Sequence, residues 1–214
     1  MALRFVYCHG FASGPNSTKG VAFANHFAAR GVHVDRLNLR VPSFEHLRLS
    51  AMIETARGAI GGPDDRAVMV GSSLGGLTVA RVAERDPRVI AVMLLAPAFQ
   101  LVPRWRAMLG TEWEDWKRTG WREVADYTTH APARVDYGFA EDVERIDVGF
   151  PALTIPTLIC HGIGDPTVPI EHSRRFAAGR RNVQLVELDD GHELAASLPR
   201  LLAEADRFLG PVLA

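Results

Sequence analysis

The sequence predicts an α/β domain built on a mainly parallel sheet with helices on both faces. Apolar runs of strand length recur at Leu3–Cys8, Val32–Leu39, Arg66–Val70, Arg88–Leu95, Thr157–Cys160 and Val183–Leu188. Most are apolar at successive positions, as in strands covered on both sides. Between them lie helix-length segments, and this alternation of strand and helix is that of a parallel sheet.

Taken in order, Leu3–Cys8 ends at His9-Gly10-Phe11, and Ala12–Ser17 is a loop of turn formers. Asn16 or Ser17 suits the cap of a helix over Thr18–Arg30, with Val21, Phe23, Ala24, Phe27 and Ala28 on its apolar side. Gly31 ends that helix, and Val32–Leu39 follows as a strand with one less apolar face. A helix is expected around Phe44–Ile60, closed by Gly61-Gly62-Pro63. The strand Arg66–Val70 runs through Gly71-Ser72-Ser73-Leu74-Gly75 into a helix over Leu74–Glu84. Arg88–Leu95 ends at Ala96-Pro97-Ala98. The rhythm resumes with strand Thr157–Cys160, helix Ile170–Ala178, strand Val183–Leu188 and a closing helix Glu193–Leu209.

Phe99–Pro156 breaks the rhythm. It holds all four tryptophans, Trp105, Trp113, Trp116 and Trp121, with many charges and no obvious buried strand. Two or three short helices are expected there. The division that follows is a core of residues 1–98 and 157–214, and a helical lid of residues 99–156 over the carboxyl edge of the sheet. Trp105, nearest the strand end, is the first choice for the wall of an apolar acyl pocket favouring medium chains, and Trp121 for subdomain core. Large aromatics fill cores as readily as they line sites, so a packing role for each tryptophan stands beside this reading.

A length of 214 residues fits one domain. With 24 basic and 25 acidic residues the net charge is −1, which offers no electrostatic case for nucleic acid or an anionic membrane. No stretch has the apolar length of a membrane span. The opening residues lack a basic region, a long apolar segment and a cleavage site, so no signal peptide is expected. The only cysteines, Cys8 and Cys160, each follow an apolar run and precede His-Gly. Two such buried thiols suit a reducing cytoplasm better than a disulfide, and their spacing suggests no metal site.

The chemistry centres on Ser73. A G-x-S-x-G pattern at a sharp strand-to-helix turn strains the central residue and exposes its hydroxyl at the carboxyl end of the sheet. A serine becomes a nucleophile when a histidine accepts its proton and a carboxylate orients that histidine. The sequence supplies both at later strand ends. Asp165 follows Thr157–Cys160, and His192 follows Val183–Leu188. Asp189 and Asp190 lie too near His192 to reach its far ring nitrogen easily and suit turn formation instead. Of the other histidines, His26, His33, His46 and His172 fall on helices or strand surfaces, and His9 and His161 sit where a histidine commonly orders a loop. The oxyanion donors expected are the N–H of Leu74 and one from the loop after the first strand, Phe11 first and Ala12 second. His9, Gly10, Trp105 and His130 are the remaining pocket candidates.

These motifs resemble the α/β-hydrolase superfamily. More narrowly the chain is similar to small bacterial esterases of the YqiA group and to the mitochondrial acyl-glucuronide esterase and depalmitoylating relatives. The resemblance rests on Tyr7–Lys19 (YCHGFASGPNSTK), Val70–Gly76 (VGSSLGG), Leu109–Glu123 (LGTEWEDWKRTGWRE), His161–Pro169 (HGIGDPTVP) and Asp189–Leu194 (DDGHEL). It implies about six mostly parallel strands, without the two N-terminal strands of larger hydrolases, and a small-molecule ester or thioester substrate. No metal or organic cofactor is implied. Peptidase or acyltransferase activity with the same triad, and a non-catalytic ligand-binding hydrolase fold, are the alternatives. No motif sets an oligomeric state.

Overall fold

The computed structural model describes residues 1–213. Its elements are β1 (Leu3–Cys8), α1 (Thr18–Ala28), β2 (Val34–Leu37), α2 (Leu49–Gly58), β3 (Arg66–Ser72), α3 (Leu74–Ala83), β4 (Val89–Leu95), α4 (Leu101–Leu109) and α5 (Thr111–Thr119). They continue with β5 (Trp121–Asp126), β6 (Ala131–Asp136), α6 (Gly138–Ile146), β7 (Thr157–Gly162), α7 (Glu171–Ala177), β8 (Val183–Leu188) and α8 (Leu198–Leu213). The six expected strands form one sheet in the order β2-β1-β3-β4-β7-β8, and every neighbouring pair is parallel. Among the described residues no helix is long and apolar enough to cross a membrane.

The uninterrupted apolar runs are explained by burial on both faces. Along β1, Phe5 and Tyr7 pack with Phe23 and Phe27 of α1 and Leu201, Ala205 and Leu209 of α8. Val6 and Cys8 point the other way, into a core shared with α2 and α3. Cys160 lies on the face opposite Cys8, and both thiols are free and buried. The register keeps the strand ends level: Cys8 faces Gly71, and Leu95 faces Cys160. The loops that leave those ends therefore meet above one edge of the sheet.

Two helices begin later than their sequence pattern predicts. The helix expected from Phe44 starts at Leu49. Arg48 is extended (φ −140°, ψ 126°) and its N–H is taken by the Val41 carbonyl at 3.0 Å, which holds the preceding residues in a loop. The closing helix expected from Glu193 starts at Leu198. Asp190 accepts hydrogen bonds from the N–H groups of Gly191 (2.7 Å) and Ser197 (2.8 Å), so the intervening residues fold as a carboxylate-held loop.

Residues 99–156 contain three short helices and, in addition, an antiparallel hairpin of β5 and β6 that the sequence pattern does not predict. Of its paired residues only Asp126 and Val135 are buried, so no strand-like apolar run exists to be read. The segment is sewn into the main core. Trp113 and Trp116 are 1% and 2% exposed in the same apolar cluster as α2 and α3, and the Trp116 indole N–H donates to the Val135 carbonyl at 3.0 Å. Trp121, expected as core, is instead half-buried on β5, with the His46 ring at 5.5 Å and the Arg134 guanidinium over its face at 4.2 Å. Four aspartates complete the attachment: Asp126 pairs with Arg40 (2.7 Å), Asp136 with Arg48 (2.7 Å) and Asp147 with Arg81 (2.8 Å), while Asp142 accepts from the Ser50 N–H (2.8 Å).

Candidate active site

At the end of β3 the chain turns through Ser73, which is held at φ +54°, ψ −116°. That conformation is costly for a residue with a Cβ and persists only where its surroundings impose it. The Ser73 N–H donates to the Leu95 carbonyl (2.8 Å), and its own carbonyl accepts from the Ala98 N–H (3.0 Å), so the end of β4 and the loop after it clamp both sides of the turn. The glycines are required by close approach. A Cβ on Gly71 would collide with the Gly75 backbone, and one on Gly75 with the carbonyls of Cys8 and His9.

The structure brings Ser73, His192 and Asp165 into one hydrogen-bonded line. Ser73 Oγ lies 3.0 Å from His192 Nε2, and His192 Nδ1 lies 2.7 Å from Asp165 Oδ2. With Asp165 ionised, Nδ1 carries the proton it donates and Nε2 accepts from the serine hydroxyl. The Asp165 side chain is fully buried, and His192 retains 14% side-chain exposure. Burial alone would raise the Asp165 carboxyl. Hydrogen bonds from His161, His192 and the Val168 N–H outweigh that cost and hold the group well below the usual carboxylate range. Its other oxygen accepts from the N–H groups of Thr167 and Val168, both at 2.8 Å.

Two further residues hold this network: His161, whose place before a glycine suits loop ordering, and Lys19, which no motif singles out. His161, fully buried, places Nε2 3.1 Å from the same Asp165 oxygen and 2.9 Å from the Val168 carbonyl. Its Nδ1 sits 2.7 Å from Ser173 Oγ. Because the Val168 carbonyl can only accept, Nε2 is the protonated nitrogen, and one imidazole locks the acid loop onto α7. Lys19, with 10% side-chain exposure, donates from Nζ to the Glu193 carbonyl at 2.7 Å, directly after His192. The readable sign was a His four residues before the acid in the first case. In the second it was a Lys on the loop-and-helix start that follows β1.

His9 acts on the other side of the serine. It is 4% exposed, and its Nε2 accepts from the Leu39 N–H at 3.0 Å. Its Nδ1 is therefore protonated and donates to the Gly10 carbonyl at 2.9 Å. In a planar trans peptide the N–H points opposite the C=O, so fixing the Gly10 carbonyl also fixes the direction of the Phe11 N–H. The Phe11 and Leu74 N–H groups have no acceptor among the described residues. A Cβ at Gly10 would sit 3.3 Å from the Ser73 Cβ, so glycine lets this loop lie against the serine. Burial, above all, keeps His9 below the ordinary histidine value. With both ring nitrogens engaged it braces the loop, and it also lines the cleft that opens beside Gly10 and Phe11.

Beside Gly10, Phe11 and Leu74 opens a small apolar cleft, with room for about one water molecule, whose far wall is Leu39, Phe44, Leu47 and Met52. Trp105 does not line it. It is 8% exposed and stands behind Phe11 with ring centroids 5.1 Å apart, backed by Phe139 and Trp116. His130 lies elsewhere: it is exposed at the hairpin turn with φ +57°, on an open groove along β5 and β6.

The family profile described as "Uncharacterised protein family (UPF0227)" matches residues 4–208. No curated protein sequence matches the chain. Among solved structures, the alpha/beta hydrolase domain-containing protein 10 from mouse is similar at 21% identity and a TM-score of 0.80, over 97% of this chain and 90% of that one. Est1E from Butyrivibrio proteoclasticus is similar at 22% identity and a TM-score of 0.72, over 97% and 86%. The monoacylglycerol lipase of Paleococcus ferrophilus follows at 18% identity and a TM-score of 0.69, over 93% of each chain. These likenesses establish an α/β-hydrolase fold.

Proposed function

The chain belongs to the UPF0227 family, and from that premise we propose that it is a serine hydrolase of carboxylic esters or thioesters. The observation that carries the reading is the line Ser73–His192–Asp165, at 3.0 Å and 2.7 Å, set on a strained turn. Ser73 Oγ attacks the substrate carbonyl while its proton passes to His192 Nε2. Asp165 remains ionised and holds the imidazolium. The N–H groups of Leu74 and Phe11 receive the tetrahedral oxyanion; one such donor contributes on the order of 10²–10³ in rate. His192 returns the proton to the leaving oxygen or sulfur as the carbonyl re-forms. Water then repeats the sequence on the acyl-enzyme and releases the acid.

In this reading residues 1–98 and 157–214 supply the chemistry, and residues 99–156 form a fixed cap rather than a purely helical lid. Trp105 sets acyl selectivity only indirectly, by holding Phe11. The small cleft favours short acyl groups over the medium chains that a tryptophan-walled pocket predicts. A cytoplasmic location is part of the proposal, supported by two free, buried thiols each pushed up to about 12 by burial.

The test is a series of 4-nitrophenyl esters from acetate to octanoate, with a thioester analogue, on wild type and Ser73→Ala. Turnover should be highest for acetate or butyrate and vanish in the variant. Ester turnover retained by Ser73→Ala would overturn the mechanism.

A further inference from the structure

Most arginines in this fold that lie against the protein meet a carboxylate. Hydrogen bonds to carboxylates push Arg48, Arg57, Arg88 and Arg174 above the ordinary guanidinium value. Arg104 on α4 behaves in the opposite way. Burial pushes it down to about 10. The acids nearest in charge are already engaged: Asp165 with His161, His192 and two backbone N–H groups, and Asp147 with Arg81 and the Leu101 N–H.

The one hydrogen bond that Arg104 makes among the described residues runs from Nη1 to the Thr167 carbonyl. Its Nε is buried with no partner, and its Nη2 has none. Nε and Nη2 form the edge of a guanidinium that grips an oxyanion with two parallel bonds. Arg174 uses that same edge on Glu187, at 2.8 and 2.6 Å. The surroundings reinforce the charge. On α7, Arg175 Nη2 lies 3.3 Å from His172 Nδ1 and 3.2 Å from Gln100 Oε1, with no carboxylate among the described residues within ion-pair distance. A half-buried cation without a counter-ion, its Nε buried and unpartnered, costs folding free energy, so its retention calls for a partner that arrives from outside.

Its position says which partner. Arg104 touches Thr167, whose N–H binds Asp165, which holds His192 against Ser73. Helix α4 leaves the sheet just after β4, at the edge where Ser73 lies. We infer that Arg104 recognises an anionic group, a carboxylate or a phosphate, carried by the ester substrate; this rests on the hydrolase reading above.

The test compares three acetyl esters: methyl 4-acetoxybenzoate, which is neutral, 4-acetoxybenzoate and 4-acetoxyphenyl phosphate. The variants are Arg104→Gln, Arg104→Lys and, as a charge-matched control on α5, Lys117→Gln. In wild type at least one charged ester should be preferred, and which one identifies the anion. Arg104→Gln should lower kcat/KM for that ester relative to the neutral one by roughly 10- to 100-fold, the range of a hydrogen bond to a charged group. Arg104→Lys should lose less, Lys117→Gln should not change the ratio, and the Tm of Arg104→Gln should not fall. An unchanged ratio with a lowered Tm would make Arg104 an anchor for the Thr167 loop and overturn the inference. An equal change in Lys117→Gln would reduce it to general charge attraction and overturn it too. If wild type turns over none of the three esters and Ser73 takes no phosphonate label, the hydrolase reading itself fails.

Discussion

The elbow around Ser73 and the segment 99–156 are held by different physics. The elbow is fixed by backbone: glycines where chains touch, a clamp from β4, and N–H groups left without acceptors. The inserted segment is fixed by side chains: two fully buried indoles and four aspartates that reach back to the core. Backbone constraint gives the positional accuracy that proton transfer requires, whereas side-chain pairing can be exchanged while the chemistry stays in place. Substitutions in the first region should therefore act on rate, and substitutions in the second on stability.

The largest separation is expected between two aspartates. Asp165→Asn should lower kcat by roughly 10²–10⁴ with little change in KM, because it frees the imidazole that Asp165 orients. Asp190→Asn, on a carboxylate that only holds a loop, should cost far less. Equal losses would place the orienting acid wrongly. For the segment, Asp126→Asn leaves Arg40 over the Phe44 ring without its bidentate partner. About 2–3 kcal/mol of stability should disappear in denaturant titration, with kcat for a short ester nearly unchanged. A large loss of kcat at full stability would erase the distinction between the two regions.

A smaller effect follows from pH. Asp165 and Asp126 are both held below the usual carboxylate range in the folded chain, so each binds protons less readily folded than unfolded. Their stabilisation is complete above the ordinary aspartate value, near pH 4, and declines as pH falls through that range toward the lower native values. Asp126→Asn should flatten this acid limb of the Tm–pH curve. A limb of unchanged steepness would show that Asp126 is not linked to stability. The smallest effect is assigned to Lys19. Lys19→Met removes the donor to the Glu193 carbonyl and should lower kcat about tenfold, with Lys19→Arg recovering part of it. A fall in Tm with kcat untouched would make Lys19 structural only.

The same contrast explains what could be read from the sequence. The six strands were legible because burial on both faces writes uninterrupted apolar runs. Ser73, Asp165 and His192 were legible because each follows such a run at the edge where the strands end. The hairpin was not, since its exposed faces alternate charges with small residues and Pro132. His9 and His161 were legible as loop-ordering histidines, since each precedes a glycine at a strand end; their partners Leu39 and Ser173, 30 and 12 residues away, and the contact of Lys19 with Glu193, 174 residues away, were not, because no local pattern encodes such contacts. Trp105 was misplaced by one layer, because an aromatic behind a wall and an aromatic in it share the same sequence signal.

The central claim is that the strained Ser73 is a nucleophile activated by His192. Its most direct test is peptide mapping by mass spectrometry after treatment with a fluorophosphonate. One phosphonyl adduct is expected, on the peptide containing Ser73. It should be absent from Ser73→Ala and form far more slowly in His192→Gln. No adduct on wild type, or an adduct on another serine with ester turnover intact in Ser73→Ala, would contradict the account.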